Sequence, residues 1–397
     1  MPSTPPDELI RRAASLQRHL EQLALDAALI TQNVDLFYFA GSMQSGVLVV
    51  PARGRAAYGV RRVLERARSE SALDQVLPLP SFRGLAALVR DAVGGPVRRV
   101  GVELDVLPVQ VRDRLAAALP DVELVDVSAA IRTVRTVKSP YELDKMRAAA
   151  VLAEAMLHAA VGALREGMTE LELSGVVEAA ARRGGHQGVV RARGWNQEVY
   201  YGHLLAGPSG AVESAPDTPL AGEGPSAAVP FGAGHRRVAA GDPVILDYTG
   251  VLDGYICDQT RTLVIGALPE PLAAAHDAAV AVLGTVADAI RPGVTPESLY
   301  RLAVECAGGL GYAAAFMGAG PLRVRYVGHG VGLELDEWPV LAEGFEEPLV
   351  PGVVLAVEPK MVFPGVGAVG IEDQFAVTSD GAERITRPAQ RVFAVKR

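Results

Sequence analysis

The chain has little of several features that would place it in a special class of protein. It contains two cysteines, Cys257 and Cys306, which are too few for a disulfide framework. No uninterrupted apolar run of about 18 residues occurs. Residues 1–20 lack the apolar core and the cleavage signal of a secretory leader. These absences argue against a membrane partner and predict a cytoplasmic protein.

Positive charge is outnumbered by negative charge. The chain has 46 acidic and 38 basic residues, which gives a net charge of −8 at pH 7. This balance argues against nucleic acid or an anionic membrane surface as a partner. The chain is 49% hydrophobic and 21% charged, as an ordinary globular protein is, and its 397 residues are enough for two domains.

The first third of the chain alternates between helical and strand patterns. An amphipathic helical pattern covers residues 6–25, and a strand–helix–strand pattern covers residues 98–127. Short apolar strands are predicted between them, at residues 26–31, 45–51 and 55–60, and a helical pattern follows at residues 60–71. Ser139 and Pro140 then predict the start of a long helix. We therefore expect a small α/β domain at residues 1–132 and a second domain at residues 133–397.

The second domain contains an internal repeat. The segment REGMTELELSGVVEAAARRGGH begins 126 residues before RPGVTPESLYRLAVECAGGLGY, at Arg165 and Arg291. The first has a predicted capping box at Thr169 and Glu172, and the second has a proline at its first helical position, after Thr295. Each repeat leads into apolar strands. A duplicated unit of this kind predicts an approximate twofold axis.

Four carboxylates and one imidazole stand at the ends of apolar strand patterns or beside them in the last part of the chain. They are Asp247, Asp258, His329, Glu358 and Glu372. Asp247 is expected at the end of a buried strand. The Asp-Gly pair at 253–254 predicts a hairpin that places the first two carboxylates opposite each other. His329 lies between two glycines, where we expect the backbone to approach a metal closely.

Taken singly, each of these residues has an ordinary structural explanation, such as turn formation by Asp-Gly. Their recurrence on buried strands is harder to explain, because an unpaired buried carboxylate costs several kcal/mol and lysine is nearly absent from these segments. A carboxylate-rich set suits two divalent ions about 3.5–4 Å apart, which activate water and polarise a carbonyl group. The pattern therefore favours a dinuclear metallohydrolase.

These segments resemble the pita-bread metallopeptidase family, and most closely its proline-specific members, the Xaa-Pro aminopeptidases and prolidases. The resemblance covers nearly the whole chain. It implies a creatinase-like α/β N-terminal domain followed by an α+β pita-bread catalytic domain with an internal pseudo-twofold repeat. It also implies that the five residues bind two ions of Mn, Co or Zn, that Glu358 is in addition the proton shuttle, and that the protein forms a homodimer. Retention of all five ligands argues against the metal-free creatinases of the same family.

Several positions depart from the family pattern. Asp336 and Arg325 replace histidines, and Gly370 replaces an arginine. We expect Asp336 to be catalytic. We expect Arg325 to bind a substrate carboxylate, because its planar guanidinium group can donate two parallel hydrogen bonds. The interpretation of Arg325 as a solvated strand residue has equal weight.

A further family histidine falls near Pro230 or Phe231 in this chain, and His235 or His203 is a candidate to replace it. We assign His235 to substrate binding, against the simpler interpretation of a surface histidine. The Gly/Pro/Ser/Ala-rich segment 207–237 is expected to form a loop at the rim of the site.

The predicted function is that of an exopeptidase acting on small peptides next to proline, as an Xaa-Pro dipeptidase or an enzyme similar to aminopeptidase P. Two alternatives stay open because of the departures. One is a proline-related carboxypeptidase with a reorganised set of residues around the metals. The other is a non-peptidase amidohydrolase of the same fold.

Overall fold

The computed structural model describes residues 4–214 and 216–396, which divide into two compact units. The N-terminal unit comprises residues 4–135 and 194–196, and the catalytic unit comprises the rest. The boundary predicted at 132/133 stays a prediction.

The N-terminal unit is built on one mixed sheet of six strands in the order β4-β3-β2-β1-β5-β6. β2 is antiparallel to its neighbours β1 and β3, and the other neighbouring strands are parallel. The strands are β1 (Ala27–Ile30), β2 (Gly46–Pro51), β3 (Ala57–Val60), β4 (Val76–Pro78), β5 (Arg99–Val102) and β6 (Glu123–Asp126). The helices are α1 (Pro6–Gln22), α2 (Asn33–Ala40), α3 (Leu64–Glu70), α4 (Leu85–Val93), α5 (Val109–Ala118) and α6 (Ser128–Thr136).

The α/β prediction for this part of the chain is confirmed, but three of its helices were not predicted. Helix α2 shows why: its sequence NVDLFYFA is buried at six of eight positions, so it has no polar face to reveal a helical period. It begins because the side chain of Gln32 accepts a hydrogen bond from the main-chain N–H of Asp35, and it ends at Gly41 in the left-handed conformation.

The described residues of the catalytic unit form two pairs of α-helices and three mainly antiparallel sheets. The helices are α7 (Pro140–Ala163), α8 (Glu170–Arg183), α9 (Glu270–Ala289) and α10 (Pro296–Gly309). The strands of the first sheet, in the order β17-β9-β8-β7, are β7 (Gly202–Ala206), β8 (Val244–Leu252), β9 (Tyr255–Ile265) and β17 (Phe393–Val395). The second sheet, in the order β11-β10-β12-β15-β16, contains β10 (Tyr326–Gly330), β11 (Glu337–Ala342), β12 (Val354–Val357), β15 (Asp373–Val377) and β16 (Ala382–Arg384). The third sheet is the pair β13 (Lys360–Phe363) and β14 (Gly367–Gly370).

The predicted internal repeat is present as two helix pairs, each followed by antiparallel strands. Helix α8 begins with the predicted capping box between Thr169 and Glu172, and α10 begins with Thr295 capping the main-chain N–H of Ser298. Helices α7 and α8 pack with the first sheet in one apolar cluster, while α9 and α10 pack with the second and third sheets in another. Each half of the repeat therefore buries its own helix faces.

Two helices, α7 and α9, are long and apolar enough to cross a membrane by length and composition. Their apolar side chains have another explanation in the structure. Leu152 and Met156 of α7, and Val282 and Leu283 of α9, are buried in the two core clusters. The apolar composition of these helices thus follows from packing within the catalytic unit.

Candidate metal centre

The hairpin of β8 and β9 carries the two candidate aspartates. Asp247 was expected at the end of a strand, but it lies inside β8, because the strand continues to Leu252 at the turn. It turns at Asp253 and Gly254, both with positive φ, as the Asp-Gly pattern predicts. Asp247 pairs with Thr260, and Asp258 pairs with Thr249. The prediction that the two aspartates lie directly opposite each other was wrong. They are diagonal neighbours, because the residue paired with each aspartate lies two positions from the other aspartate. Side chains alternate with a period of two, so both aspartates lie on the same face of the hairpin.

The other three candidate ligands come from the second sheet. His329 lies on β10, Glu358 directly follows β12, and Glu372 directly precedes β15. A single bridge between Thr260 and Glu372 connects β9 to this part of the chain. The two halves of the repeat therefore meet where the ligands are.

The glycines on either side of His329 have a role in sheet packing that the sequence analysis did not predict, and the close approach of a metal at these residues stays a prediction. A Cβ atom on Gly328 would lie 2.2 Å from the carbonyl oxygen of Ala356, and one on Gly330 would lie 2.2 Å from that of Trp338. The glycines thus allow the strands on either side of β10 to approach His329. Their small size serves sheet packing.

Three ligand atoms form the centre of the cluster. One atom each from Asp258, His329 and Glu372 lie within 4.8 Å of one another, and all three residues are buried. Nε2 of His329 is 3.8 Å from Oδ2 of Asp258 and 3.6 Å from Oε1 of Glu358. It is also 3.5 Å from Oδ1 of Asp336. The imidazole nitrogen thus faces carboxylate oxygens from three segments of the chain.

Asp247 joins the cluster through a residue that the sequence did not point to. The hydroxyl oxygen of Thr260 lies 2.8 Å from Oδ1 of Asp247 and 2.7 Å from Oε2 of Glu372. A hydroxyl carries one proton, so it donates to one of these oxygens at a time. Thr260 therefore keeps both carboxylates within hydrogen-bond distance of one oxygen atom.

The electrostatics of the cluster favour an added cation. Burial, and then the neighbouring charge of Asp247, raises the pKa of Asp258 to about 7. Burial, and then the charge of Asp258, raises the pKa of Glu372 well above its ordinary value. Burial lowers the pKa of His329, but the surrounding carboxylates outweigh it and the net shift is upward. Each shift has the direction expected where negative charges crowd together without enough positive charge.

A buried lysine supplies part of the missing charge. Nζ of Lys360 lies 2.9 Å from Oε2 of Glu358 and 3.3 Å from Oε2 of Glu372, and the lysine is fully buried. Burial lowers its pKa, but the two glutamates outweigh this and raise it. The sequence argument overlooked Lys360, although it lies two residues after a candidate ligand.

The remaining candidates differ in their positions. Asp336 adjoins His329, has a positive φ of 58°, and keeps 59% of its side chain exposed, so it lies between the cluster and solvent. His235 and Arg325 are exposed. His203 lies on β7 directly opposite Asp247, and its ring is 6.3 Å from that of Phe231. The structure thus brings His203 beside a candidate ligand, while the roles assigned to His235 and Arg325 stay predictions.

Tyr326 is a further residue that the sequence analysis missed. Its hydroxyl donates to the main-chain oxygen of Asp217, at 2.9 Å, and so connects β10 to the long Gly/Pro-rich loop. Burial, followed by the charges of Glu358 and Asp336, raises the pKa of Tyr326 well above its ordinary value. The phenol therefore lies near the carboxylates, and the loop contacts this side of the catalytic unit.

The residues of the cluster fit a divalent metal. Oε1 of Glu372 is buried and has no hydrogen-bond partner within residues 4–214 and 216–396, and such an atom is costly unless a cation or donor satisfies it. Asp258 and His329 place ligand atoms within reach of the same point. A buried group of carboxylates and one imidazole, at the junction of two halves of an internal repeat, defines a metallohydrolase of the pita-bread class.

Comparison with known proteins agrees with this class. Residues 12–137 match the Creatinase/Prolidase N-terminal domain, and residues 144–379 match metallopeptidase family M24. The chain belongs to metallopeptidase family M24. The predicted family and fold class are confirmed.

Similar proteins cover almost the whole chain. It is 26% identical over 390 residues to an Xaa-Pro dipeptidase of Pyrococcus horikoshii, and the aligned region covers 98% of this chain and 100% of that protein. Dipeptidase PepE of Mycobacterium ulcerans is 27% identical, with a TM-score of 0.80 and 100% of both chains covered. An Xaa-Pro dipeptidase of Bacillus anthracis has the same fold, with a TM-score of 0.82 at 24% identity, over 98% of this chain and 100% of that one.

Proposed function

We propose that this enzyme is a metal-dependent exopeptidase that hydrolyses the bond before proline, as an Xaa-Pro dipeptidase or an enzyme similar to aminopeptidase P. The observation that carries the proposal is the buried cluster of Asp258, His329 and Glu372 in a chain that belongs to a metallopeptidase family. The name of the Xaa-Pro dipeptidase relative supplies the preference for proline.

We propose two divalent ions per chain, of Mn, Co or Zn, because the affinity order for such ligands does not by itself select one metal. Asp258, His329, Glu358 and Glu372 would hold one ion, and Asp247, Asp258 and Glu372 would hold the other. When bound, the metals polarise the scissile carbonyl and activate water. A titration of the folded protein with Mn²⁺ should saturate at two ions per chain, and Asp258→Ala should abolish that binding.

The protein groups handle the protons and the substrate. Glu358 takes a proton from the attacking water and delivers it to the nitrogen that leaves as the C–N bond breaks. Lys360 donates to Oε2 of Glu358, while Oε1 faces Nε2 of His329 at 3.6 Å. Asp336 reaches the cluster from the solvent side, which supports the proposal that it contacts the substrate beside the reacting bond.

Mass spectrometry of peptide digests tests the proposed function. One peptide carries proline at position two, one is an Xaa-Pro dipeptide, and one carries proline near its C-terminus, with Mn²⁺ and Co²⁺ supplied separately. Release of the first residue from either of the first two is the expected result. Cleavage of the third alone would indicate the carboxypeptidase alternative. No cleavage of any peptide by the metal-loaded protein would favour a non-peptidase amidohydrolase.

We also propose a cytoplasmic homodimer. All five candidate ligands lie in the catalytic unit, which leaves the N-terminal unit available for dimerisation and for limiting substrate length. Light scattering at micromolar concentration should give the mass of a dimer, and a monomer mass would exclude the assembly.

Arg325→Ala is expected to weaken binding of peptides with a free C-terminal carboxylate. Arg325 is exposed four residues before His329, and a charged hydrogen bond of the kind proposed contributes roughly 1.5–3 kcal/mol. KM for free-acid substrates should therefore rise about tenfold or more, since 1.4 kcal/mol is a factor of ten. The same peptides with amidated C-termini are the control and should change little. Equal effects on both series would show that Arg325 has no carboxylate role.

A further inference from the structure

The residues on both sides of Asp336 are fixed, although Asp336 itself is exposed. The main-chain N–H of Leu335 donates to the carbonyl oxygen of Arg191, at 2.7 Å, and the side chain of Glu337 is buried. Asp336 has a φ of 58° and keeps 59% of its side chain exposed. A left-handed conformation is uncommon outside glycine, and it persists where the surrounding contacts fix it.

Glu337 closes the loop before it with one carboxylate oxygen. Its Oε1 accepts hydrogen bonds from the main-chain N–H groups of Leu333 and Glu334, at 3.0 and 3.2 Å. Gly332 leaves room for the carboxylate, because a Cβ atom there would lie 2.7 Å from each of its oxygens. The loop therefore wraps around the Glu337 carboxylate, while Oδ1 of Asp336 lies 3.5 Å from Nε2 of His329.

A buried lysine engages the other oxygen of Glu337. Nζ of Lys138 lies 2.9 Å from Oε2, and the side chains of the lysine and the glutamate are 1% and 7% exposed. The main-chain N–H of Lys138 donates to the carbonyl oxygen of Gly352, at 2.8 Å, so the lysine side chain starts from a fixed point. Both oxygens of Glu337 are thus engaged by groups of the catalytic unit.

Stability alone is a weak reason for a buried pair of this kind. The loss of hydration offsets much of the attraction between the two charges, and apolar residues of similar volume often stabilise a fold as well. The pair of Lys138 and Glu337 adds direction instead. A carboxylate with both oxygens engaged has one orientation, and the main chain attached to it has one conformation.

We propose that Lys138 and Glu337 are positioning residues for Asp336 and hold its carboxylate beside His329, where it contacts the substrate. The inference rests on the substrate contact of Asp336 in the proposed function. Lys138 orients the carboxylate of Glu337, and that carboxylate closes the loop. The closed loop then fixes the main chain of Asp336. In this scheme neither Lys138 nor Glu337 touches the substrate.

Steady-state kinetics on an Xaa-Pro dipeptide tests the proposal, with metal content matched to that of the wild-type enzyme. Lys138→Met keeps the apolar stem and removes the charge. The double variant Lys138→Met/Glu337→Gln leaves no unpaired buried charge and keeps an oxygen for the loop N–H groups, so it serves if the single variant does not fold. Both should raise KM more than they lower kcat, and kcat/KM should fall by about 10- to 10²-fold, the cost of a misplaced group.

The same variants in an Asp336→Ala background separate positioning from a purely structural role. There the loop has lost the side chain that it positions, so kcat/KM should fall further by less than about twofold. A purely structural role would give equal factors in both backgrounds, because the effects of independent residues add.

The matched control for the kinetics is Lys145→Met. Lys145 also pairs with an aspartate of positive φ, Asp253, at 2.7 Å, but this pair lies at the hairpin turn. The control should therefore leave kcat/KM unchanged.

Hydrogen–deuterium exchange of the metal-free protein gives a readout that does not depend on activity. The peptide that covers residues 331–337 contains the N–H groups that Glu337 and Arg191 hold. It should exchange faster in both Lys138 variants than in the wild-type protein or in Lys145→Met, because a loop with fewer fixed contacts opens more often.

Several results would overturn the inference and leave the proposed peptidase standing. They are unchanged kinetic constants in the folded Lys138 variants, equal losses of kcat/KM in the two backgrounds, and unchanged exchange at residues 331–337. A metal-loaded wild-type protein that cleaves no peptide would overturn the proposed function, and this inference with it.

Discussion

Replacement of Glu358 by glutamine is expected to lower kcat by about 10²–10⁴-fold, the contribution typical of general acid–base catalysis. Glutamine has nearly the same shape and keeps one acceptor oxygen, so the fold should persist. What it loses is the ability to accept a proton from water and return it to the leaving nitrogen. Steady-state kinetics on an Xaa-Pro dipeptide, with metal content measured on the same sample, is the appropriate assay.

Asp336→Asn is the informative comparison for this variant. Asp336 is as close to His329 as Glu358 is, at 3.5 Å against 3.6 Å, but it is 59% exposed. If Asp336 contacts substrate and Glu358 shuttles the proton, the asparagine variant should change KM more than kcat. A metal-loaded Glu358→Gln enzyme with the wild-type rate would show that another group moves the proton.

Replacement of Arg261 by leucine is expected to destabilise the catalytic unit by roughly 3–5 kcal/mol, the cost of removing one partner from a buried ion pair. Arg261 is fully buried and pairs with Asp373, which is also fully buried. It donates further hydrogen bonds to the main-chain oxygens of Thr260 and Glu372, at 2.8 and 2.7 Å. Its guanidinium group therefore fastens β9 to the segment that carries a candidate ligand.

The lower stability of Arg261→Leu should appear as a lower midpoint in urea denaturation followed by circular dichroism. Arg384→Leu is the matched control, because Arg384 contacts the same aspartate at 3.4 Å with 34% of its side chain exposed. A partly exposed pair contributes about 0–1 kcal/mol, so this control should shift the midpoint little. Equal midpoints for the two variants would contradict a special role for Arg261.

Local chemistry in the sequence was enough to predict much of the catalytic unit. The Asp-Gly hairpin, the capping box at Thr169 and the helix start at Thr295 depend on neighbouring residues, and all three are present. Carboxylates within or next to apolar segments identified the candidate ligands for a similar reason. A charged group on a buried strand needs a partner, whichever fold surrounds it.

Helix α2 and the hairpin register mark the limit of that approach. The helix has almost no exposed face, so its sequence shows no period that separates it from a strand. In the hairpin, the sequence separation of Asp247 and Asp258 suggested direct pairing, but the turn at 253–254 sets a register in which Thr260 faces Asp247. The predicted Asp-Gly turn already implied this register, because a two-residue loop at 253–254 pairs residue 252 with residue 255. The number of residues between the aspartates was the misleading signal.

The sequence by itself determined which residues can carry the metal chemistry, because their acidic side chains and their apolar flanks are local properties. Only the tertiary structure decided what surrounds them. Thr260 meets Glu372 across 112 positions of the chain, and Lys360 reaches both glutamates because Gly370 leaves room for its stem. Such contacts depend on strand register and on packing between distant segments, and these are set by the fold as a whole rather than by any local pattern.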